Sequence, residues 1–199
     1  AAQQYEKSGR VKERAQALLQ LAYAYQALGQ AKNAVQTLEL ALALARQTED
    51  PGQRATILAA LGRGYLDLRQ LDESAEHLNQ AFAMARETGD KGLTASVLND
   101  MGVLFSVRQQ YGDALGAYAE AASLAQAAQL PSLAMRAETN AALAATRLGR
   151  YAEAKERLDQ AWNQAKGLDA SHEKAYGMLT LGLAYSDLRP HLPLDAQPL

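Results

Sequence analysis

At 199 residues the chain is long enough for one or two ordinary domains, and 20 Lys+Arg against 22 Asp+Glu leave a formal net charge of -2. No stretch gathers enough basic residues to track a phosphate backbone, which argues against nucleic acid as a partner. The absence of cysteine excludes disulfides, thiol catalysis and cysteine metal sites while leaving the compartment open, and no apolar run approaches the ~20 residues that span a bilayer, so membrane insertion is not expected.

The apolar pattern predicts helices and no strand; Ile57, Leu58, Leu61, Tyr65 and Leu68 lie on one helix face, and Leu71, Ala75, Leu78, Phe82 and Ala85 on the next. Residues 1–9 read as the tail of a preceding repeat, because Ala1 stands in the place of Ala41. The opening is neither a Met nor signal-like, which predicts a processed or excised piece. Helix pairs are expected over 10–28 with 31–48, 51–68 with 71–88, 91–108 with 111–128 and 131–148 with 151–167, followed by a last helix at 171–188. They divide a single array, 1–188, into full repeats 10–50, 51–90, 91–130 and 131–170 and a terminal helix. A tail at 189–199 follows, in which Pro190, Pro193 and Pro198 oppose a regular helix. Pro51 and Pro131 suit a first helical turn, and Asp50 and Asp90 stand where an N-cap is needed. Joints as short as Gly29-Gln30, Arg69-Gln70, Gln109-Gln110 and Gly149-Arg150 make paired helices antiparallel.

A small residue returns every 40 positions, at Ala22, Gly62, Gly102, Ala142 and Gly182. In phase with it come Tyr25, Tyr65, Phe105, Ala145 and Tyr185, then Ala34, Ser74, Ala114 and Ala154, then Leu38, Leu78, Tyr118 and Leu158. A fixed long period identifies a repeat array. Glycine inside a helix costs about 1 kcal/mol relative to alanine, so Gly62, Gly102 and Gly182 are expected where a second helix approaches closely.

Together these columns resemble the tetratricopeptide repeat, whose large residue, Leu-Gly, Tyr, Ala, Leu or aromatic, and Ala are matched by Leu58, Leu61-Gly62, Tyr65, Ser74, Leu78 and Ala81, and by Leu18, Leu21-Ala22, Tyr25, Ala34, Leu38 and Ala41. The usual Trp is replaced by Leu18, Leu58, Leu98, Glu138 and Met178, and the fourth unit departs furthest, with Glu138, Ala141 and Ala145 at normally bulky places. A period longer than the usual ~34 is similar to that of kinesin light chains, cell-polarity adaptors, bacterial quorum-response regulators and arrays fused to CHAT protease domains. The resemblance implies an all-α right-handed superhelix, an α-solenoid of antiparallel helix pairs. Its first helices would line a concave groove holding a peptide or helical segment of a partner, making the chain a protein–protein interaction scaffold. The alternative it implies is a regulatory or sensor arm of a larger multidomain protein, such as a CHAT-type protease or transcription regulator, with another domain of the same native chain as partner.

Carried over by position, the groove comprises Leu19, Tyr23, Gln26, Arg63, Leu66, Asn99, Val103, Ser106, Thr139, Leu143, Thr146 and Leu183, with Ala59, Leu179 and Ser186 beside them. Apolar anchors with Arg63 and Asn99 fixing direction suit a helix or an extended peptide; donors as sparse as Arg63, Asn99, Arg136 and Asn140 argue against a two-carboxylate clamp. The aromatic column containing Tyr65 is expected to pack in the core, Tyr23 is as apt to contact a partner as to pack, and Trp162 is expected to be buried between units. Asp72, Glu73, Glu76 and His77 read as a helix's first turn rather than a metal cluster, and Gly62-Arg63-Gly64 has neither the third glycine nor the preceding strand of a phosphate loop. No catalytic constellation and no cofactor are expected.

Overall fold

The first helix of each pair stops at a residue in the left-handed region, with φ +70° at Gly29, +61° at Arg69 and Gln109, and +73° at Gly149. The next amide then donates to the carbonyl five positions back, Gln30 to Tyr25, Gln70 to Tyr65, Gln110 to Phe105 and Arg150 to Ala145, each at 2.9 Å. This Schellman arrangement satisfies carbonyls that the helix end would otherwise orphan. Glycine adopts the conformation without strain, whereas a side chain there costs roughly 1–2 kcal/mol. Arg69→Gly is accordingly expected to stabilise the protein by about 0.5–1 kcal/mol, read as a thermal midpoint about 1–4 °C higher.

The computed structural model describes residues 2–193, and side chains over 10–171 and 174–193. Its helices are α1 (Ala2–Ala27), α2 (Ala31–Ala45), α3 (Pro51–Asp67), α4 (Leu71–Thr88), α5 (Lys91–Val107), α6 (Tyr111–Ala127), α7 (Pro131–Arg147), α8 (Tyr151–Lys166) and α9 (His172–Leu188), followed by a 3-10 turn, Arg189–His191. No strand occurs among the described residues. The expected map therefore stands to within a few residues except at its start. The backbone of residues 2–9 is continuous with α1 rather than part of a separate preceding helix, Ala1 lying outside the described residues. Asp50 accepts from the Gln53 amide at 2.8 Å and Asp90 from that of Leu93 at 2.9 Å, so both act as N-caps. Ser171, expected as the first residue of the last helix, is instead its cap, accepting from Lys174. Lys12 also pairs with Asp50 at 2.7 Å; its hydrogen bond, with that of Gln53, holds the Asp50 carboxyl below its ordinary value.

The chain divides into two compact units, Ala1–Leu93 and Thr94–Leu199. In the first, α1 packs on α2, α3 on α4, and α2 on α3. A Cβ added at Gly62 would stand 2.5 Å from Leu78 Cγ and 2.7 Å from Cδ2, and one at Gly64 would stand 2.8 Å from Val35 Cγ2. The close approach expected of the small column is therefore present at Gly62. In the second unit α6 packs on α7, α7 on α8, and α9 on both α7 and α8. Gly102 abuts the Tyr118 ring, where an added Cβ would lie 2.5 Å from Cε1. Gly182 departs from expectation, with nothing within 4 Å of an added Cβ. Leu158, Leu181, Leu188 and Leu192 join one core, and Leu192 brings the residues after α9 back onto it. The His191 ring stacks on Tyr151 at 4.4 Å, while residues 194–199 of the proline-rich tail lie outside the described residues.

Two members of the aromatic column carry their hydroxyls to a carboxylate on the preceding helix. Tyr65 donates to Glu39 Oε1 at 2.9 Å and Tyr185 to Asp159 Oδ1 at 2.7 Å. Burial, then the Glu39 bond, pushes the Tyr65 hydroxyl up to about 12. Where the column reads Phe105 or Ala145, the matching acid position reads Asn79 or Ala119, so in these four pairs the acid occurs with the hydroxyl it accepts.

Candidate functional site

Three positions of each first helix were expected to form the groove, and the structure separates them by exposure. The column of Leu19, Ala59, Asn99 and Thr139 is buried, at 2, 5, 3 and 3% exposure. Leu19 belongs to the core, Thr139 Oγ1 donates to the Met135 carbonyl at 2.9 Å, and Asn99 Oδ1 accepts from Asn140 Nδ2 at 3.1 Å. These four side chains are covered within the fold, and the Asn99 amide oxygen is engaged by Asn140, so the accessible part of the expected groove lies in the other two columns. Residues four apart share a helix face one turn from each other, so the difference is set by how closely the neighbouring helix covers that turn. At the end of the series Leu179, in the same column on α9, is 61% exposed.

The other two columns are half-buried. In the first unit α1 and α3 present Tyr23 with Arg63 and, one turn on, Gln26 with Leu66. The Arg63 guanidinium carbon lies 5.6 Å from the Tyr23 ring centroid, a cation–π arrangement. Partial burial raises the Asp67 carboxyl above its ordinary value, the charge of Arg63 one turn away opposing it. The second unit carries Val103 and Ser106 on α5, with Leu143 and Thr146 on α7, all half-buried. Thr146 Oγ1 is turned to the Ala142 carbonyl and Ser106 Oγ to the Tyr118 hydroxyl, which leaves Val103 and Leu143 as the apolar anchors of that strip. Leu183 is 61% exposed on α9, beside Tyr176 and Leu179.

One further expectation changes, that for Trp162. Trp162 is 40% exposed with Lys166 Nζ 5.6 Å over its ring, rather than buried between units. His77 Nδ1 lies 2.8 Å from the Glu73 carbonyl and its ring stacks on Tyr65 at 5.1 Å, which gives it a packing role. Among the described residues no group of His, Cys, Asp or Glu could hold a metal ion, and no helix is long and apolar enough to cross a membrane.

The sequence missed one buried charge cluster. Glu138, in the place of the family's Trp, is 5% exposed and accepts from Arg157 Nη1 at 3.1 Å, while Arg157 Nη2 reaches Glu153 at 3.1 Å. Burial raises the Glu138 carboxyl above its ordinary value and Arg157 pulls it back. The signal was available in the letters, since Arg157 is the residue before the Leu158 column and a lone acid at a core position demands a cation.

The family model of the tetratricopeptide repeat matches residues 13–87 and, in a second register, 53–127, together more than half of the chain. The chain belongs to the tetratricopeptide repeat family. Such repeats are generally non-catalytic protein-interaction scaffolds, and no catalytic family is indicated. No curated protein matches the chain significantly in sequence. Among solved structures, the chain is similar to a putative kinesin light chain with nearly identical TPR-like repeats from Podosopora anserina, at 24% identity and TM-score 0.70, covering 94% of this chain and 91% of that one. It is also similar to aspartyl phosphate phosphatase F from Bacillus subtilis, at 16% identity and TM-score 0.72, covering 90% of this chain and 52% of the phosphatase. A third likeness is to a signal-transduction ATPase with a tetratricopeptide repeat sensor from Pyrococcus horikoshii, at 17% identity and TM-score 0.72, covering 91% of this chain and 27% of the ATPase. At these identities the likenesses establish the long-period repeat fold.

Proposed function

We propose that this tetratricopeptide repeat chain is a protein–protein interaction scaffold whose first helices take a peptide or helical segment of a partner. The observation that carries the reading is the pairing of Tyr23 with Arg63 at 5.6 Å on a half-buried surface of α1 and α3. An aromatic face and a guanidinium together offer apolar contact and a directional donor fork, the side chains that dominate binding hot spots. Gln26 and Leu66 extend that surface in the first unit, and Val103 and Leu143 supply apolar anchors in the second. Peptides selected from a random library on the intact chain are expected to bind Tyr23→Ala with Arg63→Ala about tenfold or more weakly, with far-UV circular dichroism unchanged. Equal binding by the double variant would remove the groove assignment.

A second reading is supported by two longer proteins, the phosphatase and the signal-transduction ATPase, of which the chain spans about half and about a quarter, the latter named for its tetratricopeptide repeat sensor. In that reading the same surface engages a segment of a larger multidomain protein and reports its occupancy to another domain. Reading the native frame on both sides of these residues separates the two.

A further inference from the structure

Among the described residues nothing lies within 4 Å of a Cβ added at Gly182, although its glycine equivalents in the repeat are filled. Leu78 and the Ser74 carbonyl close on Gly62, and the Tyr118 ring closes on Gly102. The filling residues keep one register: a small side chain 12 positions after the small column and Leu or Tyr four positions later, as in Ser74 with Leu78, Ala114 with Tyr118 and Ala154 with Leu158. All six are buried. Beside Gly182 there is instead a cleft of about 670 Å³ between α8 and α9, lined by Trp162, Met178, Leu181, Gly182, Tyr185 and Arg189 among others. The residues at the matching offsets in this chain are Leu194 and Pro198, with Pro190 and Pro193 before them, a sequence unsuited to a regular second helix.

Among the described residues the cleft therefore has the floor of a helix pair without the second helix, and the chain itself shows what fits such a floor. Trp162 at 40% exposure and the open face of Gly182 present apolar surface where Gly62 and Gly102 are covered. The Tyr185 hydroxyl is already bonded to Asp159 at 2.7 Å, so the wall beside the glycine is set before anything docks. We propose that the cleft between α8 and α9 is a second docking site, and that it takes an amphipathic helix of a partner protein bearing Ala or Ser and, four residues on, Leu or Tyr. The small residue meets the Gly182 face and the larger one fills the space over Gly182, as Ser74 and Leu78 do at Gly62.

A synthetic peptide with the sequence of residues 71–88 tests this, because it carries Ser74 and Leu78 in the required register and contains no tryptophan. Added to the full chain, it is expected to shift the emission of Trp162, the protein's sole tryptophan, to shorter wavelength and to saturate. Gly182→Leu, which occupies the cleft from its own floor, is expected to weaken the peptide about tenfold or more, and a peptide carrying Ser74→Leu to do the same on the unaltered protein. Tyr23→Ala with Arg63→Ala is expected to leave this binding unchanged, which separates the cleft from the proposed groove. The proposal is overturned by the absence of a saturable shift, by undiminished binding to Gly182→Leu, or by loss of binding in the groove variant. A concentration-dependent shift without peptide would also overturn it, assigning the cleft to a second copy of the chain.

Discussion

Gly102→Leu is expected to cost about 3 kcal/mol or more, the upper range for overpacking a filled core. An added Cβ alone would lie 2.5, 2.6 and 2.9 Å from three atoms of the Tyr118 ring. The ring has little freedom to retreat: it is 4% exposed, and its hydroxyl shares a 3.3 Å hydrogen bond with Ser106. Burial accordingly pushes that hydroxyl up to about 12, with Ser106 opposing. Relief by backbone movement must separate α5 from α6, so amide exchange in those helices is expected to accelerate first. Gly182→Ala provides the opposite sign at the equivalent position. With nothing within 4 Å of the new Cβ, the change keeps only the helix-propensity gain of up to about 1 kcal/mol. If both substitutions destabilise alike in urea titrations, the difference in packing between the two glycines is wrong.

Arg157→Leu is expected to cost about 3–5 kcal/mol, because it leaves the Glu138 carboxylate buried without its cation. Replacing Glu138 and Arg157 together by Leu is expected to restore most of that loss or to exceed the starting stability, since the desolvation of both charges disappears with their attraction. The dependence on pH has a definite sign. Burial raises the folded-state pKa of Glu138 above 4.5 while Arg157 lowers it, so the carboxyl's contribution to stability is fully present below about 4.5 and is lost as pH rises through the folded value. Removing Arg157 deletes the opposing effect. The single variant is therefore expected to lie closest to the parent at about pH 4 and furthest from it at about pH 7. Urea unfolding at both values checks this; a loss independent of pH would mean that Arg157 acts through packing alone.

Most of the fold was legible because the 40-residue period wrote each helix pair several times over. Asp50, Asp90, Pro51 and Pro131 marked helix starts through local chemistry, and joints such as Gly149-Arg150 marked the turns. Left-handed φ at Arg69 and Gln109 was legible only by analogy with Gly29 and Gly149, since neither side chain favours it. The proposed groove was less legible. Leu19, Asn99 and Thr139 were assigned by position within the repeat, but burial depends on how close the next helix comes, and four residues of displacement separate covered side chains from half-buried ones.

The sequence by itself determined the all-α repeat, its register and its small columns, because helix periodicity, capping and glycine's backbone freedom act within a few residues of one another. Only the tertiary structure decided which members of a column are covered. Gly62 and Gly102 are filled and Gly182 is open, Leu19 is buried and Leu179 is 61% exposed, and Glu138 is kept by a guanidinium one helix away. Equivalent letters have unequal surroundings because exposure is set by the neighbouring helix, and a repeat specifies its own two helices without specifying what packs against them.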